Sequence, residues 1–82
     1  MDLVELTLAI VKKIVSDSES VSVKEFESDD ENVVQIEVLV SSDDLGKVIG
    51  KNGRTINSIR TIVQASSSLN NDKRVRINVE SY

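Results

Sequence analysis

Between Val34 and Val40 the chain alternates without a break, with Val34, Ile36, Val38 and Val40 on one parity and Gln35, Glu37 and Leu39 on the other. A period of two is that of a β-strand with one buried face, so the rest of the chain must supply a layer to cover it. In 82 residues there is room for one core and no second domain. Domains this small bury only about 60% of the surface their unfolded chains expose. The sequence has no cysteine, so neither a disulfide nor a thiolate metal site supplements that burial. Phe26 and Tyr82 are the whole aromatic inventory, which leaves valine, isoleucine and leucine to build the interior.

The other segments supply the covering layer. From Asp2 to Ser16, Leu3, Leu6, Thr7, Ile10, Val11 and Ile14 recur at spacings of three and four, predicting a one-sided helix with Asp2 as its N-cap. Asp17 to Ser20 is a polar break. Val21 and Val23 then alternate with Ser22 and Lys24 as far as Phe26, a strand whose alternation slips at Glu25. Glu27 to Asn32 is an acidic turn into the strand at Val34. Ser42 followed by Asp43 and Asp44 is a helix-start signal, since a side-chain oxygen caps free N–H groups and carboxylates suit the positive end of a helix. The helix it opens is short, buried through Leu45, Val48 and Ile49, and Gly50 to Gly53 interrupts it before a second helix begins near Arg54. There Ile56, Ile59, Ile62, Val63 and Ser66 form the expected stripe, leaving Asn57, Arg60 and Gln64 outside it. Leu69 to Asp72 ends that helix, and Val75, Ile77 and Val79 alternate with Arg74, Arg76, Asn78 and Glu80 in a last strand. The order helix, strand, strand, helix, helix, strand contains no repeat or linker, so residues 1–82 are expected to form one two-layer α+β domain.

A net charge of −4 argues at first sight against a nucleic-acid partner. The average conceals an asymmetry. Residues 1–45 carry twelve acids and three bases, whereas residues 46–82 carry seven bases and two acids. Such a split fits one face that attracts an anion and another that keeps the protein soluble, or else an ordinary solvated surface. The stretch before Lys12 and Lys13 has no basic leader, the wrong order for a secretory signal, and no apolar run approaches the roughly 18 residues of a membrane helix. A cytoplasmic protein without a membrane partner is expected.

Gly50-Lys51-Asn52-Gly53 joins the two central helices. Two glycines around two polar residues let the backbone turn tightly and approach a ligand closely. The loop precedes a helix N-terminus, where free N–H groups and the helix dipole favour a phosphate. Lys47, Lys51, Arg54 and Arg60 surround it, and no acid occurs between Lys47 and Ala65. Standing alone, such a loop is an ordinary helix–helix turn. Here an apolar Val48-Ile49 pair precedes it and a lysine lies inside it.

The run Gly46-Lys47-Val48-Ile49-Gly50-Lys51-Asn52-Gly53-Arg54, with Ile56 and Ile59 beyond it, is similar to the VIGxxG signature of KH domains. The element order resembles the type II, prokaryotic KH arrangement, an α+β fold with a three-stranded sheet packed on one side by three helices. Length and the stretch Arg60-Thr61-Ile62-Val63-Gln64-Ala65 resemble the small stand-alone bacterial KH proteins of the KhpA (YlqC) family. That resemblance implies a non-catalytic protein without a cofactor that clamps about four nucleotides of single-stranded RNA by the backbone, beside an aliphatic groove that holds the bases. Gly50 and Gly53 would permit close approach, Lys51 and Asn52 would meet phosphate or sugar, and Lys47 and Arg54 would add charge at the rim. Val48, Ile49, Ile56 and Ile77 would line or support the groove, with core packing as their competing role. Asn57 would add a hydrogen bond or stand as an exposed helix residue, and Arg74 and Arg76 would flank the groove or be solvated. With no aromatic near the loop, sequence preference is expected to be weak and binding salt-dependent. The family also implies RNA chaperoning or post-transcriptional regulation that affects bacterial cell shape and division.

Two other classes compete. A nucleotide-hydrolysing loop needs four residues between its glycines and Ser or Thr after the lysine, whereas three residues separate Gly46 from Gly50 and Asn52 comes after Lys51. The chain has no histidine, and Asp29, Asp30 and Glu31 lack calcium-loop spacing, so catalysis and metal binding are not expected. The second class is an interaction module, a KH fold that forms a homodimer or a heterodimer with a larger KH-domain protein and binds little RNA itself. Val4, Leu8 and Val15 lie off the main stripe of the first helix and either form such a face or widen the buried one.

Overall fold

A computed structural model of the chain describes residues 2–70 and 72–82, Asn70 by its backbone alone. Helix α1 spans Leu3–Ile14, strands β1 and β2 span Ser22–Glu27 and Val33–Val40, helices α2 and α3 span Leu45–Ile49 and Arg54–Asn70, and strand β3 spans Arg74–Ser81. This is the α-β-β-α-α-β order of a type II KH fold. β2 is the central strand, antiparallel to β1 and parallel to β3. Ile36 stands opposite Glu25 and Ile77, and Gln35 opposite Phe26 and Arg76.

The alternation in β2 sets the two faces. Ile36, Val38 and Val40 are sealed beneath the helices with Ile77 of β3, Val11 of α1, Val48 of α2 and Ile59 and Val63 of α3. Each such side chain contributes roughly 1.5–3 kcal/mol by leaving water. Asp2 caps α1 as its position suggests, its carboxylate accepting from the Glu5 N–H at 2.8 Å. Thr7 fits the apolar side of α1 because its hydroxyl donates to the Leu3 carbonyl at 2.7 Å, so its polar group is paired inside the core. Val15 packs on the core margin, while Val4 and Leu8 are half-buried.

The structure differs from the sequence expectation in two places, the stripe of α3 and the start of α2. The α3 stripe runs Ile56, Ile59, Val63, Ser67 and leaves Ile62 half exposed. Positions 62 and 63 are both apolar, and only one can join Ile59 in the interior; Ser67 enters the stripe because its hydroxyl reaches the Lys73 carbonyl at 2.7 Å. Phe26 lies on the open face of the sheet, since Val23 faces the core opposite Val38 and a residue three positions on points the other way. Ser42 is exposed and does not cap α2; the N-cap position is Asp44, whose side chain is committed elsewhere. At the far end of α3 the Asp72 N–H closes onto the Ser67 carbonyl at 2.8 Å, and Asn71 lies outside the described residues.

Candidate nucleic-acid interface

Helix α2 stops at Gly50, whose N–H still bonds the Gly46 carbonyl at 2.8 Å while its own φ of 76° and ψ of 173° turn the chain out of the helix. Asn52 at φ 57° and Gly53 at φ 75° complete the reversal, and the Gly53 N–H donates back to the Gly50 carbonyl at 3.2 Å. Glycine takes these conformations without cost, and asparagine is among the few other residues that visit them readily. Gly50 has a second reason to lack a side chain. A Cβ there would stand 2.2 Å from the Thr55 hydroxyl oxygen and 2.9 Å from the Thr55 nitrogen, because the Gly50 backbone lies directly on the first turn of α3. At Gly53 the nearest atom would be 3.9 Å away, so only its positive φ restricts it.

This backbone presents Lys51, Asn52 and Arg54 to solvent beside the N-terminal turn of α3, whose positive dipole end favours an anion although the Arg54 N–H is itself bonded to the Lys51 carbonyl. Beneath them Val48 is fully buried and Ile56 nearly so, and Ile49 packs against the core margin. Val48 therefore holds the loop from below and offers no surface of its own. Among the described residues, Lys51 and Arg54 have no carboxylate within salt-bridge distance, and the local field at the loop is positive.

Lys47 is different. Its ammonium lies 3.5 Å from the Asp44 carboxylate and donates to the Ser16 hydroxyl, so a neighbouring acid already offsets its charge. Asn57 is exposed, with its amide oxygen accepting from Arg60 at 3.2 Å. Arg60 turns away from the loop to donate to the Ile77 carbonyl at 3.1 Å. One turn on, the Gln64 oxygen accepts from the Val75 N–H at 2.8 Å and its amide nitrogen donates to the Lys73 carbonyl at 2.9 Å. These side chains cover part of the outer edge of β3, which would otherwise present unpaired backbone groups.

Sequence reasoning missed the edge-covering roles of Arg60 and Gln64 and, above all, the role of Asp44. Asp44 is 1% exposed, and its two oxygens accept from the Ser16 and Asp17 N–H groups at 3.0 Å each, with the Ser41 hydroxyl a third donor at 3.0 Å. These backbone donors hold its carboxyl down to about 2, with help from the Ser41 hydroxyl and Lys47 against the opposing effect of burial. Its position four residues before the buried Val48 was the available signal. Among the described residues no group of three or more His, Cys, Asp or Glu is placed to hold a metal ion, and no helix is long and apolar enough to cross a membrane.

Residues 4–79 match the family model described as KhpA/KhpB, KH domain. Curated relatives named RNA-binding protein KhpA include one from Listeria monocytogenes, 41% identical over 92% of this chain and 95% of the relative. Others come from Chlamydia pneumoniae, 38% identical over 93% and 91%, and Clostridium perfringens, 42% identical over 87% and 92%. Among solved structures, Era in complex with MgGDPNP and nucleotides 1506–1542 of 16S ribosomal RNA superposes with a TM-score of 0.72 at 19% identity, covering 96% of this chain. The chain spans only 29% of that Era chain, and at this identity the likeness establishes the fold alone. The match of family model, near-full-length relatives and fold places the chain in the KhpA/KhpB family of KH domains.

Proposed function

We propose that this non-catalytic KH domain binds single-stranded RNA by seating the sugar-phosphate backbone on Gly50-Lys51-Asn52-Gly53. The observation that carries the reading is the Gly50 backbone lying on the first turn of α3, with no room for a Cβ, while Lys51, Asn52 and Arg54 project outward. A phosphate there meets the positive end of the α3 dipole and two cations together. The relatives' name, RNA-binding protein KhpA, and the RNA-bound state of the Era structure support the same reading. Ile49 and the margin of Ile56 offer an aliphatic floor for bases, with Asn57 at its edge. The working context is the bacterial cytoplasm, as an RNA chaperone or post-transcriptional regulator affecting cell shape and division.

The test is a fluorescence-anisotropy titration of labelled single-stranded RNA with the wild type and with Lys51→Asp combined with Asn52→Asp. Aspartate tolerates the positive φ of position 52, so the variant keeps both glycines and its fold, as circular dichroism checks. Salt-sensitive binding by the wild type and its loss in the variant support the clamp. Equal binding by both, or by neither, refutes it.

A second reading, pairing with another copy or a larger KH-domain protein, is favoured by one observation. Ile62 and Leu69, seven residues apart on α3, are 50% and 87% exposed. Analytical ultracentrifugation of the wild type and Ile62→Glu decides it: a dimer dispersed by the substitution supports pairing, and a monomer at all concentrations removes the homodimer.

A further inference from the structure

The helices cover one face of the sheet and leave the other to solvent. Across the open face run the rows Phe26–Gln35–Arg76 and Val33–Arg74, set by the register of the three strands. Phe26 is 47% exposed there although it is the only aromatic residue within any strand. Arg74 and Arg76 are exposed, and among the described residues neither has a carboxylate within salt-bridge distance. No acid belongs to these two rows. In the next row on the same face, Glu37 stands opposite Lys24.

These rows lie at a defined distance from the glycine loop. Helix α3 runs antiparallel to β3, with Arg60 bonded at Ile77, Gln64 at Val75 and Ser67 at Lys73. The start of α3, and the loop before it, therefore sit level with the end of β3 near Ser81. Arg76 is five residues back along the strand, about 17 Å at ~3.3 Å per residue. An extended strand held at the loop exhausts the roughly four nucleotides of the KH groove over a distance of that order. The next nucleotides of an RNA held in that way would reach the β3 edge beside Arg76 and Arg74. Phe26 and Val33 also line a hollow with Glu25, Glu27, Asp30, Glu31 and Lys73, whose acids repel phosphate toward the arginines.

We infer that the open face of the sheet is a second contact for single-stranded RNA, in which Phe26 stacks on a base and Arg74 and Arg76 hold the phosphates of a strand leaving the glycine loop. The two arginines, two positions apart, project from the same face of β3 and so address neighbouring phosphates. Phe26 supplies the stacking platform that the loop region lacks. The inference rests on RNA binding at the loop, and the test separates the two.

Anisotropy is measured with uridine oligonucleotides of about four and about ten nucleotides, lengths that fill the groove alone and the groove plus the open face. Arg74→Ser combined with Arg76→Ser should leave the short oligonucleotide's affinity unchanged, weaken the long one, and reduce its log–log salt slope by about 1.4, at ~0.7 per phosphate contact on single strands. Phe26→Leu should weaken only the long oligonucleotide, about fivefold or more. The chain contains no tryptophan, so Phe26→Trp restores stacking and adds a unique fluorophore, which the long oligonucleotide should quench and the short one should not. Equal affinity for both lengths, or quenching absent with the long one, overturns the inference and leaves the loop reading standing. Failure of both lengths to bind the wild type overturns both. Quenching by a lysine-rich peptide but not by RNA assigns the face to a protein partner and overturns the inference as well.

Discussion

The carboxylate of Asp44 bonds the backbone N–H of Ser16 at 3.0 Å across 28 residues of sequence, and its second oxygen does the same for Asp17. The chain leaving α1 is thereby fastened to the base of α2, the helix whose last residue precedes the glycine loop. A helix of five residues has little stability of its own, so tertiary contacts of this kind decide where it points.

Asp44→Asn should lower the melting temperature by several degrees at neutral pH. An amide accepts at one end only and sets its NH2 against one of the two N–H donors. The pH dependence has a definite sign. The folded carboxyl titrates at about 2 against an ordinary 3.8, so the unfolded chain binds the proton first as pH falls. The stabilisation is complete above 3.8 and is lost as pH falls from there through about 2. Urea titrations of wild type and variant should show a gap that is constant near neutrality and narrows across that window. A gap independent of pH down to 2 would sink this assignment.

Gly50 and Gly53 should not respond alike. Gly50→Ala drives a Cβ into Thr55 at a positive φ and should cost on the order of 1–3 kcal/mol, with loss of RNA affinity as the loop shifts. Gly53→Asn brings its Cβ only to ordinary contact, 3.9 Å from the Asn57 amide, at a positive φ that asparagine tolerates better than other side chains, and should cost about 1 kcal/mol or less. Denaturant midpoints of the two variants check this, and equal costs would contradict the geometry.

The edge of β3 gives a local test. Gln64→Ala strips the partner from the Val75 N–H, and leaving a part-buried donor unmade costs about 1–3 kcal/mol. Amide hydrogen exchange at Val75 should accelerate well beyond that at Ile36, which lies in the central strand.

Periodicity and glycine placement are the features the sequence displays. The β2 alternation, the α1 stripe and the Asp2 cap are local patterns, and the fold shows each as expected. The glycine loop is legible for the same reason, since positive φ selects glycine and asparagine at fixed positions. Asp44 reads in sequence as a helix-start signal because its partners lie 27 and 28 residues away, and no local rule reports them. Ile62 falls on the wrong side because a period of 3.6 leaves two apolar candidates after Ile59, and only packing chooses. Arg60 and Gln64 look like solvated helix residues until a strand edge is set beside them.

That difference between local and distant partners yields a last prediction about the basic residues of the site. Lys47 and Lys51 are four residues apart and look equivalent in sequence, yet Asp44 and Ser16 engage the Lys47 ammonium whereas Lys51 stands free of any carboxylate among the described residues. A phosphate approaching Lys47 must displace or share an existing partner, so it gains less there than at Lys51. Lys51→Met should reduce the log–log salt slope of RNA binding by about 0.7, the share of one phosphate contact on a single strand. Lys47→Met should reduce it by much less while lowering thermal stability slightly, because its removal leaves Asp44 with backbone and hydroxyl donors alone. Slopes from anisotropy titrations at several salt concentrations distinguish the two, and an equal drop for both would show that Lys47 releases Asp44 to engage RNA.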